Sequence, residues 1–320
     1  MVPISEGRRR RRALLCTALL ALTPACSGDQ GTAPADVAAR RDAMNSEAAA
    51  TGTRVQPRRH RAGAQQPEGA ATSAPAQAPA PSVETVSPAR ALADILAAAE
   101  TAVRDENVRG NALAEAGHTQ QRTYRRLSLE SRWRDEVVRS VPRRLRPAVR
   151  RNLRAGAALA SLVGPQRRLP DWRIVPPAPA TDLLAHYRRA AAEYGVDWHY
   201  LAAIHLVETR MGRIRGRSSA GARGPMQFMP ATWAAYGAGD INDNGDAIMA
   251  AARYLAAHGA PRDMHRALWN YNHSDRYVEA VSAYAAVMRD DERAFRGYYH
   301  WQVYYMTADG DVQLPVGYGS

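Results

Sequence analysis

Apolar residues recur at spacings of three and four through two stretches of the chain, the signature of helices that bury one face. In 89–163 they fall at Leu92, Ile95, Leu96 and Val103, then at Leu145, Val149, Leu153, Leu159 and Leu162. Pro142 and Pro147 start or break these helices. Beyond a stretch holding Pro170, Pro176 and Pro177, the pattern resumes. Thr181 or Asp182 is placed to cap a helix through Leu183, Leu184, Tyr187, Ala191 and Tyr194, closing at Gly195. A second helix is predicted over 197–211, a third capped by Asp246 over 247–258, a fourth over 266–271 and a fifth over 277–289. The tail changes period: Asp309-Gly310 between two β-prone runs, 301–306 and 312–316, predicts a hairpin. The predicted fold class is mainly α: a helical domain over 181–320 ending in a short β-hairpin, joined by a Pro-rich linker (166–180) to a helical region over 89–165.

The first 88 residues read differently. Arg8 to Arg12 precede an apolar run over 13–22 and the small-residue segment Thr23-Pro24-Ala25, the layout of a secretory signal peptide over 1–25. Cys26 stands where a bacterial lipoprotein carries its lipidated cysteine, and ordinary cleavage after Ala25 is the competing outcome. The two cysteines of the chain, Cys16 and Cys26, both lie here, so the mature fold is expected to hold no disulfide. Residues 26–88 are rich in Ala, Pro, Gly, Gln and Ser, too poor in apolar surface to offset the entropy of ordering, and are expected to be a disordered tether. The expected location is the cell envelope, anchored by lipid at Cys26 or else secreted.

Charge sharpens the division. All 43 basic residues are arginine and the net charge is +12. Residues 89–180 carry 18 arginines against nine acids, whereas 181–320 carry 14 against 15, so the basic character belongs to the first half. For an exported chain this surplus is expected to face anionic wall polymer or a membrane surface rather than nucleic acid. The chain is expected to be a monomer.

The chemistry concentrates in the second half. The second predicted helix reads Leu201-Ala202-Ala203-Ile204-His205-Leu206-Val207-Glu208, and Glu208 falls on its apolar face by spacing from Leu201, Ile204 and Met211. A desolvated carboxyl there is raised in pKa and able to donate a proton near neutral pH. Sixteen residues on, Gly224-Pro225-Met226-Gln227-Phe228-Met229-Pro230 offers a glycine for close backbone approach, an amide, and Phe and Met side chains for apolar contact to sugar faces.

Taken together with Val207-Glu208-Thr209-Arg210-Met211-Gly212-Arg213, Asp246-Ala247-Ile248, Tyr254-Leu255 and Tyr271-Asn272-His273-Ser274, this loop resembles the lytic transglycosylases of the lysozyme-like superfamily, with the membrane-bound type B as the most similar subtype. The resemblance spans about 181–287 and leaves the 89–163 helices out. It implies a lysozyme-like catalytic domain acting on peptidoglycan glycan strands, with Glu208 as the single acid/base. It further implies that Gln227, Phe228, Met229, Tyr271 and Asn272 line the glycan cleft, together with Ser218, for which Ser219 competes. It implies cleavage of the β-1,4 bond between N-acetylmuramic acid and N-acetylglucosamine to leave 1,6-anhydromuramoyl ends during cell-wall remodelling.

No cofactor or metal is expected. Asp240-Ile241-Asn242-Asp243-Asn244-Gly245 opens like a calcium loop, but position twelve is Ala251, so a turn leading into a helix is expected instead. His205 shares a face with Glu208 without a third ligand. Two other functions stay open on sequence. A hydrolytic muramidase of the same fold needs a second carboxylate, with Asp240, Asp243 and Asp275 the nearby candidates; a non-catalytic wall-binding lipoprotein needs none.

Overall fold

The computed structural model describes residues 87–320, so the expected leader, Cys26 and most of the Ala/Pro-rich stretch lie outside the described residues. Four helices come first: α1 (Pro88–Arg104), α2 (Gly110–Leu129), α3 (Arg134–Ser140) and α4 (Arg146–Leu162). Ser87 caps α1 by accepting the Arg90 amide at 3.1 Å, and Pro88 stands at its first position, where no amide is needed. After the short strand β1 (Arg173–Ile174) come α5 (Ala180–Tyr194), α6 (Trp198–Thr209), β2 (Ile214–Arg215), α7 (Pro230–Tyr236) and α8 (Asn244–Ala257). The chain closes with α9 (Met264–Tyr271), α10 (Asp275–Asp290), α11 (Ala294–Tyr299) and the antiparallel ribbon of β3 (Val303–Thr307) and β4 (Gly310–Leu314). No described helix is long and apolar enough to cross a membrane.

The fold is mainly α with a C-terminal ribbon, as the periodicity predicts. The helices of 88–162 share one apolar core with those of 180–299, and α4 packs lengthwise on α10. The Pro-rich stretch between them is tied down: Gln166 exchanges backbone hydrogen bonds with Met306 and Ala308, both at 3.0 Å, and β1 pairs with β2. Trp172 and Ile174 join Tyr305 and Leu314 in a second, smaller apolar cluster.

Several boundaries differ from the sequence expectation. Neither Thr181 nor Asp182 caps α5; the helix starts earlier, after Pro179, and both lie in its first turn. Asp243 caps α8 by accepting the Asp246 amide at 3.0 Å, which makes Asp246 a first-turn carboxylate rather than the cap. Asp240 Oδ1 accepts the Asn242 amide at 2.9 Å, so the calcium-like run is a turn feeding that cap. The short helices α7 and α11 and the two-residue pairing of β1 with β2 carry no periodic signal.

α6 sits at the centre. Asp197 caps it through the His199 amide at 3.1 Å, and every residue from Leu201 to Thr209 is buried. A helix apolar all round is one surrounded by others rather than one with a wet face. Glu208 is therefore desolvated by position in the middle of the fold, not by membership of a single stripe.

Candidate active site

α6 ends in an unusual way. Arg210, Met211 and Gly212 occupy the left-handed region in succession, at φ 54°, 60° and 78°. Two of these are not glycine, and each costs of order 1 kcal/mol. Thr209 holds the turn together: its hydroxyl accepts the Gly212 amide at 3.1 Å and donates to the Pro225 carbonyl at 2.6 Å. This second bond docks the Gly224-to-Met229 loop on the helix end that carries Glu208.

The loop is a tight reversal. Arg223 and Phe228 exchange backbone hydrogen bonds at 2.9 and 2.8 Å, and Gln227 is left-handed at φ 52°. Its Nε2 donates to the Gly224 carbonyl at 2.9 Å. Gly224 itself is at φ 74°, and a Cβ there would lie 1.9 Å from the Ile241 carbonyl oxygen, so only glycine fits. From the other side, the Tyr271 hydroxyl donates to the Met226 carbonyl at 2.7 Å. The loop is thus pinned at two adjacent carbonyls, those of Pro225 and Met226, by side chains of α6 and α9.

Glu208 is 5% exposed, and its Oε1 accepts a hydrogen bond from the Tyr277 hydroxyl at 2.8 Å. Burial pushes its carboxyl well above the ordinary range, and the Tyr277 bond pulls weakly the other way. Tyr277 stacks nearly parallel on Tyr271, with ring centres 6.3 Å apart, which places the carboxylate, this pair of phenols and the Gly224 loop in one neighbourhood. Sequence periodicity marks Tyr277 only as a helix start. The available signal is that a tyrosine on the buried side of a helix needs a partner for its hydroxyl.

The other expected site residues fall as follows. Asn272 is buried at the end of α9, and its side-chain Nδ2 has no hydrogen-bond partner among the described residues. Ser218 Oγ accepts the Ala222 amide at 3.0 Å, shaping the 218–222 turn. Met229 is half-buried at the head of α7. Phe228, expected to offer its ring to sugar, is 1% exposed and packs against Trp233 and Tyr271 at 5.7 and 5.9 Å. Its side chain props the loop from below, because the tight turn reverses its direction.

His205 is fully buried against the Tyr187 hydroxyl at 2.6 Å, and burial pushes it down to about 3, so it stays neutral. Asp240, Asp243 and Asp275 are exposed. No group of three metal-ligating side chains occurs among the described residues. What the arrangement offers chemically is one buried, proton-holding carboxyl beside a rigid glycine-rich loop and an unpaired amide donor.

Residues 186–304 match the family described as Transglycosylase SLT domain. The match covers every element that positions Glu208 and its neighbours, and it is to that domain at large rather than to the type B subtype. No curated protein and no solved structure is significantly similar to the chain. Over residues 186–304 the chain is therefore similar to the transglycosylases of the lysozyme-like superfamily, a family whose substrate class is peptidoglycan.

Proposed function

We propose that this domain cleaves the β-1,4 bond between N-acetylmuramic acid and N-acetylglucosamine with Glu208 as its acid/base, leaving 1,6-anhydromuramoyl ends. The observation that carries this reading is the solitude of Glu208. Only Glu100 and Glu208 are buried carboxylates among the described residues, and Glu100 is neutralised by Arg104. Asp240 and Asp243 are exposed and spend their oxygens on the turn before α8. A glycosidase that activates water or forms a glycosyl-enzyme needs a second carboxylate opposite the first. A single buried carboxyl supports the reading in which the nucleophile comes from the substrate.

The C6 hydroxyl of the muramoyl ring is such a nucleophile, tethered to the reacting centre, so proximity replaces a second side chain. Glu208 gives its proton to the departing glycosidic oxygen as the C1–O4 bond breaks. The same carboxylate then takes the C6 hydroxyl proton as the O6–C1 bond forms, and no water is consumed. The unpaired Nδ2 of Asn272 supports a role in holding the substrate's N-acetyl carbonyl beside C1. Gln227 and Met229 are the loop side chains assigned to border the glycan in this reading. Wall remodelling, export and lipid anchoring at Cys26 complete the proposal, since the polymer lies outside the membrane.

The test is mass spectrometry of muropeptides released from purified peptidoglycan by the mature chain and by its Glu208→Gln variant. The whole chain is used because the N-terminal helices share the core. Anhydromuramoyl products from the wild type alone are expected. Reducing-end products would mean a hydrolase, and no products with wall binding intact would leave a binding protein.

A further inference from the structure

A pocket opens between α2, α4 and the β3–β4 ribbon, against the end of α6. Val207 and Arg210, on either side of Glu208, both line it, and so does Tyr284 of α10. Tyr284 stands seven residues after Tyr277 on the same helix face, about 10 Å along the axis. The pocket therefore adjoins the Glu208 site without containing it.

Its two cations differ. Arg125 is held by Asp311 through two hydrogen bonds, at 2.8 and 2.7 Å, and lies over the Tyr304 ring at 4.9 Å. Arg210 forms no ion pair among the described residues; its guanidinium donates to the Leu206 carbonyl. Desolvation pushes Arg210 down to about 10, and it is still a cation at neutral pH. The lining thus carries two arginines against one aspartate, leaving one positive charge uncompensated. Tyr305 also borders the pocket, while its ring packs edge-on against Trp172 in the smaller apolar cluster, 5.5 Å between centres. An uncompensated guanidinium among aromatic walls is a costly feature unless a ligand answers its charge. A carboxylate is the group that answers the Arg210 charge, because it accepts two parallel hydrogen bonds from a guanidinium fork.

We propose that this pocket receives a free carboxylate of the peptidoglycan stem peptide, so that α2, α4 and the ribbon select peptide-bearing strands for the Glu208 site. This rests on the peptidoglycan reading above. Within that polymer, carboxylates belong to the stems, and the backbone of a stem-bearing strand is uncharged. The 88–162 helices, outside the matched family domain, thereby gain a function: they build one wall of a specificity pocket.

The experiment measures binding of a soluble stem tetrapeptide with free carboxylates, and of its fully amidated twin, by calorimetry on the mature chain. The wild type is expected to prefer the free peptide by about tenfold or more. Arg210→Met is expected to abolish the preference. Because Arg210 ends α6 and its loss threatens folding, Ala160→Trp, which fills the pocket from the half-buried side of α4, is run beside it with the same expectation. On intact peptidoglycan, Ala160→Trp is expected to raise KM by about tenfold with kcat within about twofold, and to change nothing on peptidoglycan with amidated stems. Equal binding of the two peptides by the wild type, or an equal loss on both polymers, overturns the proposal. Discrimination between the peptides without anhydro products would sink the catalytic reading and leave the pocket standing; anhydro products without discrimination would do the reverse.

Discussion

Two glutamates are buried among the described residues, one in each helical region, and they are built differently. Glu100 of α1 is fully buried, but Arg104 one turn along pairs with it and the Tyr124 hydroxyl donates to it. That hydroxyl is in turn held by Asn152 at 3.2 Å, and Asn152 by Tyr298 at 2.6 Å. Glu208 of α6, buried nearly as deeply, meets no cation and accepts one hydrogen bond, from Tyr277. Burial is common to both and so does not distinguish them. The counter-charge does: a buried carboxylate with a guanidinium is a structural ion pair, and one without it keeps its proton to higher pH.

The largest effect expected from breaking this contrast is on turnover. Glu208→Gln keeps the shape and removes the proton, so kcat falls by about a thousandfold, measured as anhydromuramoyl release. Stability moves the opposite way. The folded carboxyl titrates above its unfolded value, so its contribution is whole below about pH 4.5 and is lost as pH rises through the folded value. Gln is free of that loss, and the thermal midpoint at neutral pH holds or rises. A clear drop in midpoint would mean that Glu208 is structural.

Glu100→Gln reverses the pattern. Arg104 is left nearly buried with only Asp291, at 3.1 Å, to answer its charge, and the fold loses about 3 kcal/mol. Denaturant unfolding reads this directly. Turnover per folded molecule stays at the wild-type value; a thousandfold loss there would erase the distinction between the two sites.

Tyr277→Phe sharpens the contrast on a smaller scale. The phenol positions the Glu208 carboxyl and favours its ionised form. Without it, kcat falls by about tenfold and the alkaline limb of the pH–kcat/KM profile moves to higher pH, because the acid holds its proton longer. A limb that stays in place would show that Tyr277 is packing alone.

How much of this was legible in the sequence depends on how local each feature is. α6 with its Asp197 cap, the body of α10 and the ribbon turn at Asp309-Gly310 follow from short-range pattern, as does the apolar-face position of Glu208, whereas Gln227, Tyr271 and Asn272 are named only through the resemblance. The start of α8 is displaced because two aspartates three apart, Asp243 and Asp246, both suit a helix start and only the fold selects the cap. α7 and α11, at seven and six residues, are too short to show a period. Tyr277 reaches Glu208 across 69 residues, and Arg210 faces the ribbon only after the N-terminal helices have packed. Phe228 turns inward because of left-handed backbone at Gln227, which residue type alone does not announce.

The smallest expected effect lies at the far end of the Glu100 network. Tyr298 is fully buried, and its hydroxyl bonds Asn152, two steps from the carboxylate. Tyr298→Phe removes that donor and leaves the Asn152 oxygen buried without it, a cost of about 1 to 2 kcal/mol. Because Arg104 still neutralises Glu100, the loss stays local and turnover is untouched. Urea unfolding of the Tyr298→Phe, Glu100→Gln and double variants separates the terms. If the network acts as one unit around its ion pair, the double variant loses less than the two single losses combined. Additive losses would instead make the phenol an independent packing element, and the Glu100 site a simple pair rather than a network.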